Sequence, residues 1–183
     1  MFRVGAVVFA LFALCGQAWA QFEQQFEPSV YANVYNWTIS PDNVGGCFAA
    51  VSYKDGGTFR VGVNRPSRRG SFVLYNPAWR SLTLGYNYEL TFAFDDGTQW
   101  GGTFTARSLD GMTVLVNYFS NPSFLETISA RHWIEISYGK NFVTNLGLTG
   151  SRAALLSVVE CQKRIDMFGS GSARDPFANQ FRP

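Results

Sequence analysis

Apolar and polar residues alternate in short runs along most of this chain, and no other feature restricts its fold as tightly. Phe59, Val61 and Val63 alternate with Arg60, Gly62 and Asn64; Tyr86, Tyr88, Leu90, Phe92 and Phe94 alternate with Asn87, Glu89, Thr91 and Ala93. A period of two places each set on one face of an extended strand, so these runs read as half-buried β-strands. Between them stand Lys54-Asp55-Gly56-Gly57, Asp95-Asp96-Gly97, Asp110-Gly111 and Gly139-Lys140-Asn141, the chemistry of tight turns that need positive φ. Strands are therefore expected near 33–40, 46–53, 58–64, 70–75, 86–94, 99–107, 112–118, 132–138 and 141–147, joined mostly by hairpins and so largely antiparallel. Nine short strands exceed what one flat sheet bears easily. The fold expected is mainly β, a two-layer antiparallel β-sandwich or a curled barrel, with one C-terminal α-helix.

That helix is read over 151–164. Ala154, Leu155, Val158 and Cys161 follow helical spacing on one apolar face, and Thr149 or Ser151 can serve as its N-cap. A shorter helical turn through Phe124, Leu125 and Ile128 is opened by Asn121-Pro122.

The chain opens MFRVGAVVFALFALCGQAWA: Arg3, an uncharged apolar run from Val4 to Leu14, then Ala18-Trp19-Ala20 before the polar QFEQQ. The run is short for a bilayer span, and small residues at the third and last positions suit a signal peptidase. Residues 1–20 are therefore read as a secretory signal peptide cleaved after Ala20, which makes the mature protein periplasmic or secreted, with no transmembrane segment. Lipoprotein processing at Cys15 fits less well, because Leu14 precedes that cysteine and Phe12 stands where an aliphatic residue is usual.

Cleavage leaves Cys47 and Cys161. In an oxidising compartment such a pair tends to become a disulfide. Cys47 alternates with Ala49, Val51 and Tyr53 on a strand, Cys161 shares the apolar face of the last helix, and neither sits in a CxxC motif. The expectation is a structural bridge tying the first third of the domain to its end. Residues 21–29 read as a mobile N-terminal arm and 30–166 as a single β-rich domain. From 167 to 183 a flexible tail is expected, rich in Gly, Ser and Pro, in which Phe177 and Phe181 form a candidate linear motif. Fourteen basic residues remain against thirteen acidic ones, so charge gives no argument for nucleic acid.

The closing stretch, Leu146-Gly-Leu-Thr-Gly-Ser-Arg-Ala-Ala-Leu followed by Val158, Val159 and Cys161, resembles the last strand and helix of small exported alphaproteobacterial proteins of the invasion-associated locus B family. The resemblance covers some twenty residues and the general layout; a second cysteine pair is missing and the tail differs. It implies an exported β-sandwich acting in envelope integrity or host interaction, with no catalytic residues to carry over.

His132, the single histidine, rules out a multi-histidine zinc site and is read as a residue at the rim of the core, on a strand face with Ile134, Ile136 and Tyr138. Asp95 and Asp96 suit a hairpin for turn reasons alone, and Glu89 with Glu135 would make a glycosidase pair only if the fold joined them. No GxSxG, HExxH, P-loop or dinucleotide fingerprint is present. No enzyme, cofactor or metal is expected.

Two binding surfaces are expected instead. Arg65, Arg68 and Arg69, with Arg60 on the preceding strand, concentrate charge suited to phosphate or lipopolysaccharide groups. Trp79 and Trp133 are the tryptophans expected to be exposed, where flat rings stack on sugars or anchor a partner. The function these features support is a noncatalytic exported interaction protein with an envelope or extracellular protein as partner. The alternative is a carbohydrate- or envelope-lipid-binding module, or an inhibitor of a hydrolase.

Overall fold

The computed structural model describes residues 30–42, 45–64, 69–121 and 123–169. The expected signal peptide, the N-terminal arm, Arg65, Arg68 and the tail from residue 170 lie outside the described residues.

Ten strands form one antiparallel sheet: β1 (Ala32–Val34), β2 (Trp37–Pro41), β3 (Cys47–Ser52), β4 (Thr58–Asn64), β5 (Arg69–Tyr75), β6 (Asn87–Phe94), β7 (Gln99–Leu109), β8 (Met112–Phe119), β9 (Trp133–Tyr138) and β10 (Asn141–Gly147). Two helices complete it, α1 (Ser123–Ala130) and α2 (Ser151–Arg164), and the chain stays helical in a wider turn through Gly169, three residues past the expected domain end. The mainly β, antiparallel reading is what the structure shows. The expected first strand is a two-residue hairpin instead: it breaks at Tyr35, whose φ is +55°, so Val34 pairs with Trp37. At the β7–β8 turn, Asp110 and Gly111 both take positive φ, as the sequence predicts.

The strand order is β1-β2-β3-β4-β5-β8-β7-β6-β9-β10. The meander β6-β7-β8 is thus inserted between β5 and β9, a Greek-key arrangement reached by the long connection 76–86 on one side and α1 on the other. The sandwich or curled barrel expected from sequence is therefore built from one continuous ladder.

The ladder curls but is not closed, because β1 does not pair with β10. Side chains span the gap. The Tyr53 hydroxyl donates to the Gly147 carbonyl (3.0 Å), the Trp37 indole donates to the Thr149 carbonyl (2.9 Å), and the Gln162 amide donates to the Gly45 carbonyl (3.1 Å). The Cys47–Cys161 disulfide joins the same regions, with Cα atoms 6.1 Å apart and both residues buried.

The interior is aromatic. Phe72 on β5 stacks with Phe59 (5.1 Å between centroids) and meets Phe124 of α1 edge-on at 4.6 Å; Phe124 also touches Phe92, Phe94, Trp100 and Phe119. Edge-to-face pairs of this kind add roughly 0.5–1.5 kcal/mol each beyond area burial, so α1 is held by the ring it inserts. Its start is fixed as expected by Asn121, whose side-chain oxygen accepts the Ser123 amide (2.9 Å).

Helix α2 begins differently from the expectation. Neither Thr149 nor Ser151 caps it; the cap position is Gly150, with φ +82° and no side-chain cap bond. Ser151 is buried in the first turn and donates to the Ile128 carbonyl (2.9 Å), tying α2 to α1. A Cβ on Gly150 would lie 2.7 Å from Cδ2 of Tyr35, so the two turns pack against each other through a glycine.

Candidate interaction surfaces

Of the expected arginine cluster, the structure describes two members, and they differ. Arg60 is packed rather than free: its guanidinium lies 3.4 Å from the centroid of Phe48 and 3.9 Å from Oδ2 of Asp42. Burial disfavours its charged form, which Asp42, Asp110 and Tyr118 partly offset. It serves the outer face of the sheet. Arg69 begins β5, opposite Asn64, and is exposed.

The tryptophans also divide. Trp133 on β9 is 39% exposed, as expected. Trp79 is not: it packs half-buried against the core. The loop that carries it is pinned by Asn76, whose amide donates to Asp55 Oδ2 (2.8 Å) while its carbonyl accepts the Ala78 amide (2.9 Å). An irregular stretch thus hides its ring because its own turn chemistry folds it down.

His132 is 86% exposed, in the bend before β9, and is not a residue of the core rim. Its Nδ1 lies 2.9 Å from Asp95 Oδ2, which also accepts its backbone amide (3.2 Å). The hydrogen bond to His132 holds the Asp95 carboxyl below the usual carboxylate range. Asp96 is likewise depressed, chiefly by the Thr98 hydroxyl (2.7 Å) and amide (3.0 Å), and pairs with Arg131. Asp96 therefore fastens the β6–β7 turn, and Asp95 and Asp96 together clamp the α1–β9 junction through His132 and Arg131.

Beside this junction, Tyr35, Arg131, His132, Gly150 and Arg152 line a shallow cleft of about 500 Å³. Glu89 and Glu135 do not meet. Glu135 pairs with Ala93, four residues along β6 from Glu89, a separation of roughly 13 Å on a strand. Glu89 instead accepts the Thr103 hydroxyl (2.7 Å).

The structure shows two exposed apolar surfaces that the sequence reading did not single out. The first continues the inward face of β6 and β9 beyond the core. Tyr86 (66% exposed), Tyr88 and Tyr138 (45% exposed) form a ladder, with ring centroids 6.4 Å apart for the first pair and 5.6 Å for the second. Tyr88 is fixed by accepting the Thr83 amide at its hydroxyl (2.9 Å), and the exposed Leu84 lies in the same loop. These tyrosines are in phase with buried Leu90 and Ile136, which is why the alternation alone reads them as core. The second surface is on α2, where Leu156 (62% exposed) and Val159 (47% exposed) lie outside the buried stripe and border a groove against α1.

Among the described residues no helix is long and apolar enough to cross a membrane, and no three His, Cys, Asp or Glu side chains gather as a metal set. No family model matches this chain, and no curated protein does. Among solved structures the chain is similar to the crystal structure of invasion associated protein B from Bartonella henselae, with a TM-score of 0.55 and 15% identity over 74% of this chain and 99% of that one. At that identity the likeness is one of fold. It agrees with the resemblance carried by Leu146 to Cys161.

Proposed function

We propose that this chain is an exported, noncatalytic interaction protein that binds an envelope or extracellular protein through the Tyr86, Tyr88 and Tyr138 ladder. The ladder is the observation that carries the reading. Tyrosine supplies a broad rigid contact with a polar tip at small entropic cost, and such residues dominate binding energy at protein interfaces. Leu84 adds an apolar neighbour, and the β6–β9 pairing beneath holds the rings at fixed spacing. Export is supported by the reading of residues 1–20 as a signal peptide and by a disulfide, a bond that persists in oxidising compartments. The fold shared with invasion associated protein B from Bartonella henselae is compatible with a role outside the cytoplasm.

The test is crosslinking of the protein in its native envelope, comparing the natural chain with Tyr86→Ser/Tyr138→Ser. The expected result is one dominant protein adduct, lost in the double variant while the disulfide and the unfolding midpoint are retained. An adduct that is indifferent to both tyrosines sinks the assignment of the surface. The exposed ring of Trp133 favours a second reading, a glycan-binding module. Saturable glycan binding abolished by Trp133→Ala, with no protein adduct, would establish that reading instead.

A further inference from the structure

The groove between α1 and α2 calls for an occupant. Val63, Leu125, Leu155, Leu156, Val158 and Val159 give it apolar walls, with Glu126 and Arg152 also lining it. Its volume, about 230 Å³, is below the roughly 300–1,000 Å³ of ordinary small-molecule sites, so it suits inserted side chains better than a free ligand. A second copy of the chain fits poorly. Pairing two α2 helices antiparallel about a two-fold axis between Leu156 and Val159 sets Arg152 of each opposite Lys163 of the other, and like charges so placed oppose association.

We propose that the groove is filled in cis by the chain's own C-terminal segment, with Phe177 and Phe181 inserted over Leu156 and Val159. The distances allow it. Val159 lies ten residues before Gly169, about 15 Å back along a helix at 1.5 Å per residue. Residues 170–176 span up to about 23 Å when extended, which brings Phe177 to Val159 or one turn beyond, with Phe181 following toward Leu125. The glycines of Gly169-Ser170-Gly171-Ser172 would let the chain reverse there at little steric cost. The two phenylalanines match what the groove lacks, since Leu156 and Val159 are exposed on a helix whose inner face already meets the sheet. The tail then acts as a strap that shields this apolar stripe, independently of the tyrosine ladder.

The experiment uses the full oxidised chain with Leu156→p-benzoylphenylalanine, irradiated as a dilute monomer and digested with trypsin. The expected product is an intramolecular crosslink to the peptide from Asp175 to Pro183. Phe177→Ser/Phe181→Ser should cut its yield by about tenfold or more, since the two rings supply the apolar contact that holds the tail in the groove. Neither substitution should move the urea midpoint by more than the tail contact itself. A crosslink to another copy or to another protein, a yield indifferent to the phenylalanines, or no product from folded protein would each overturn the proposal.

Discussion

Replacing Gly150 by alanine tests the packing of α2 against the first hairpin. Two costs add. At φ +82° an L-residue pays roughly 1–2 kcal/mol for the left-handed conformation. The new Cβ also meets Tyr35 at 2.7 Å (Cδ2), 2.8 Å (Cγ) and 2.9 Å (Cβ), closer than real Cβ contacts, and overpacking of this kind costs about 1–3 kcal/mol. Tyr35 itself sits at φ +55°, so its turn has little freedom to yield. Gly150→Ala should therefore destabilise by about 2–5 kcal/mol.

Gly85 supplies the control. It has the same φ of +82° with nothing within 4 Å of its added Cβ, so Gly85→Ala should show only the conformational cost of about 1–2 kcal/mol. Urea unfolding of both variants gives the difference, and the entropic gain from stiffening the unfolded chain is common to both and cancels. Tyr35→Ala combined with Gly150→Ala should recover part of the steric share, since the Cδ2 and Cγ contacts go and only the 2.9 Å Cβ contact stays, a coupling of up to roughly 1–3 kcal/mol in a double-mutant cycle. Equal losses at Gly150 and Gly85, or no recovery on trimming Tyr35, would refute the argument.

Reducing Cys47–Cys161, 114 residues apart in sequence, should lower stability by up to about 5 kcal/mol on the chain-entropy account, read as a shift of the urea midpoint with and without reductant. A shift under about 1 kcal/mol would mean that the reduced, unfolded chain already keeps its two ends close, so that the bridge removes little of its entropy. Acidification should also weaken the fold. Because Asp95 and Asp96 are held below the ordinary carboxylate range, their contribution is present above the unfolded value and is lost as pH falls through the folded ones. The urea midpoint should therefore drop below about pH 4, and Asp95→Asn/Asp96→Asn should flatten that limb; an unchanged slope would dismiss the His132 and Thr98 bonds as its source.

Much of this protein was legible without coordinates. Strand periodicity placed β3, β4, β6, β9 and β10 to within a residue at either end, because side-chain alternation on a half-buried strand is a local property. The helical spacing of Ala154, Val158 and Cys161 gave the bounds of α2, and the pairing of Cys47 with Cys161 expected from the sequence is the bridge that the structure contains.

Strand order, capping and exposure depended on long-range contacts. Inserting β6-β7-β8 between β5 and β9 makes the expected sandwich or curled barrel out of one continuous ladder, an order the sequence did not give because which strand edges meet is set by non-local pairing. Gly150 rather than a hydroxyl begins α2 because Ser151 is taken by the end of α1 and Tyr35 covers the turn. Phase on a strand says which way a ring points but not where the core stops, so Tyr86 and Tyr138 read as interior yet stand in the open. Trp79 folds under its own loop and Arg60 lies flat on Phe48, because burial depends on what the rest of the chain places above a residue. Sequence determined the elements and their covalent tie; tertiary structure decided which faces were left for a partner, since exposure is what remains after distant segments have packed.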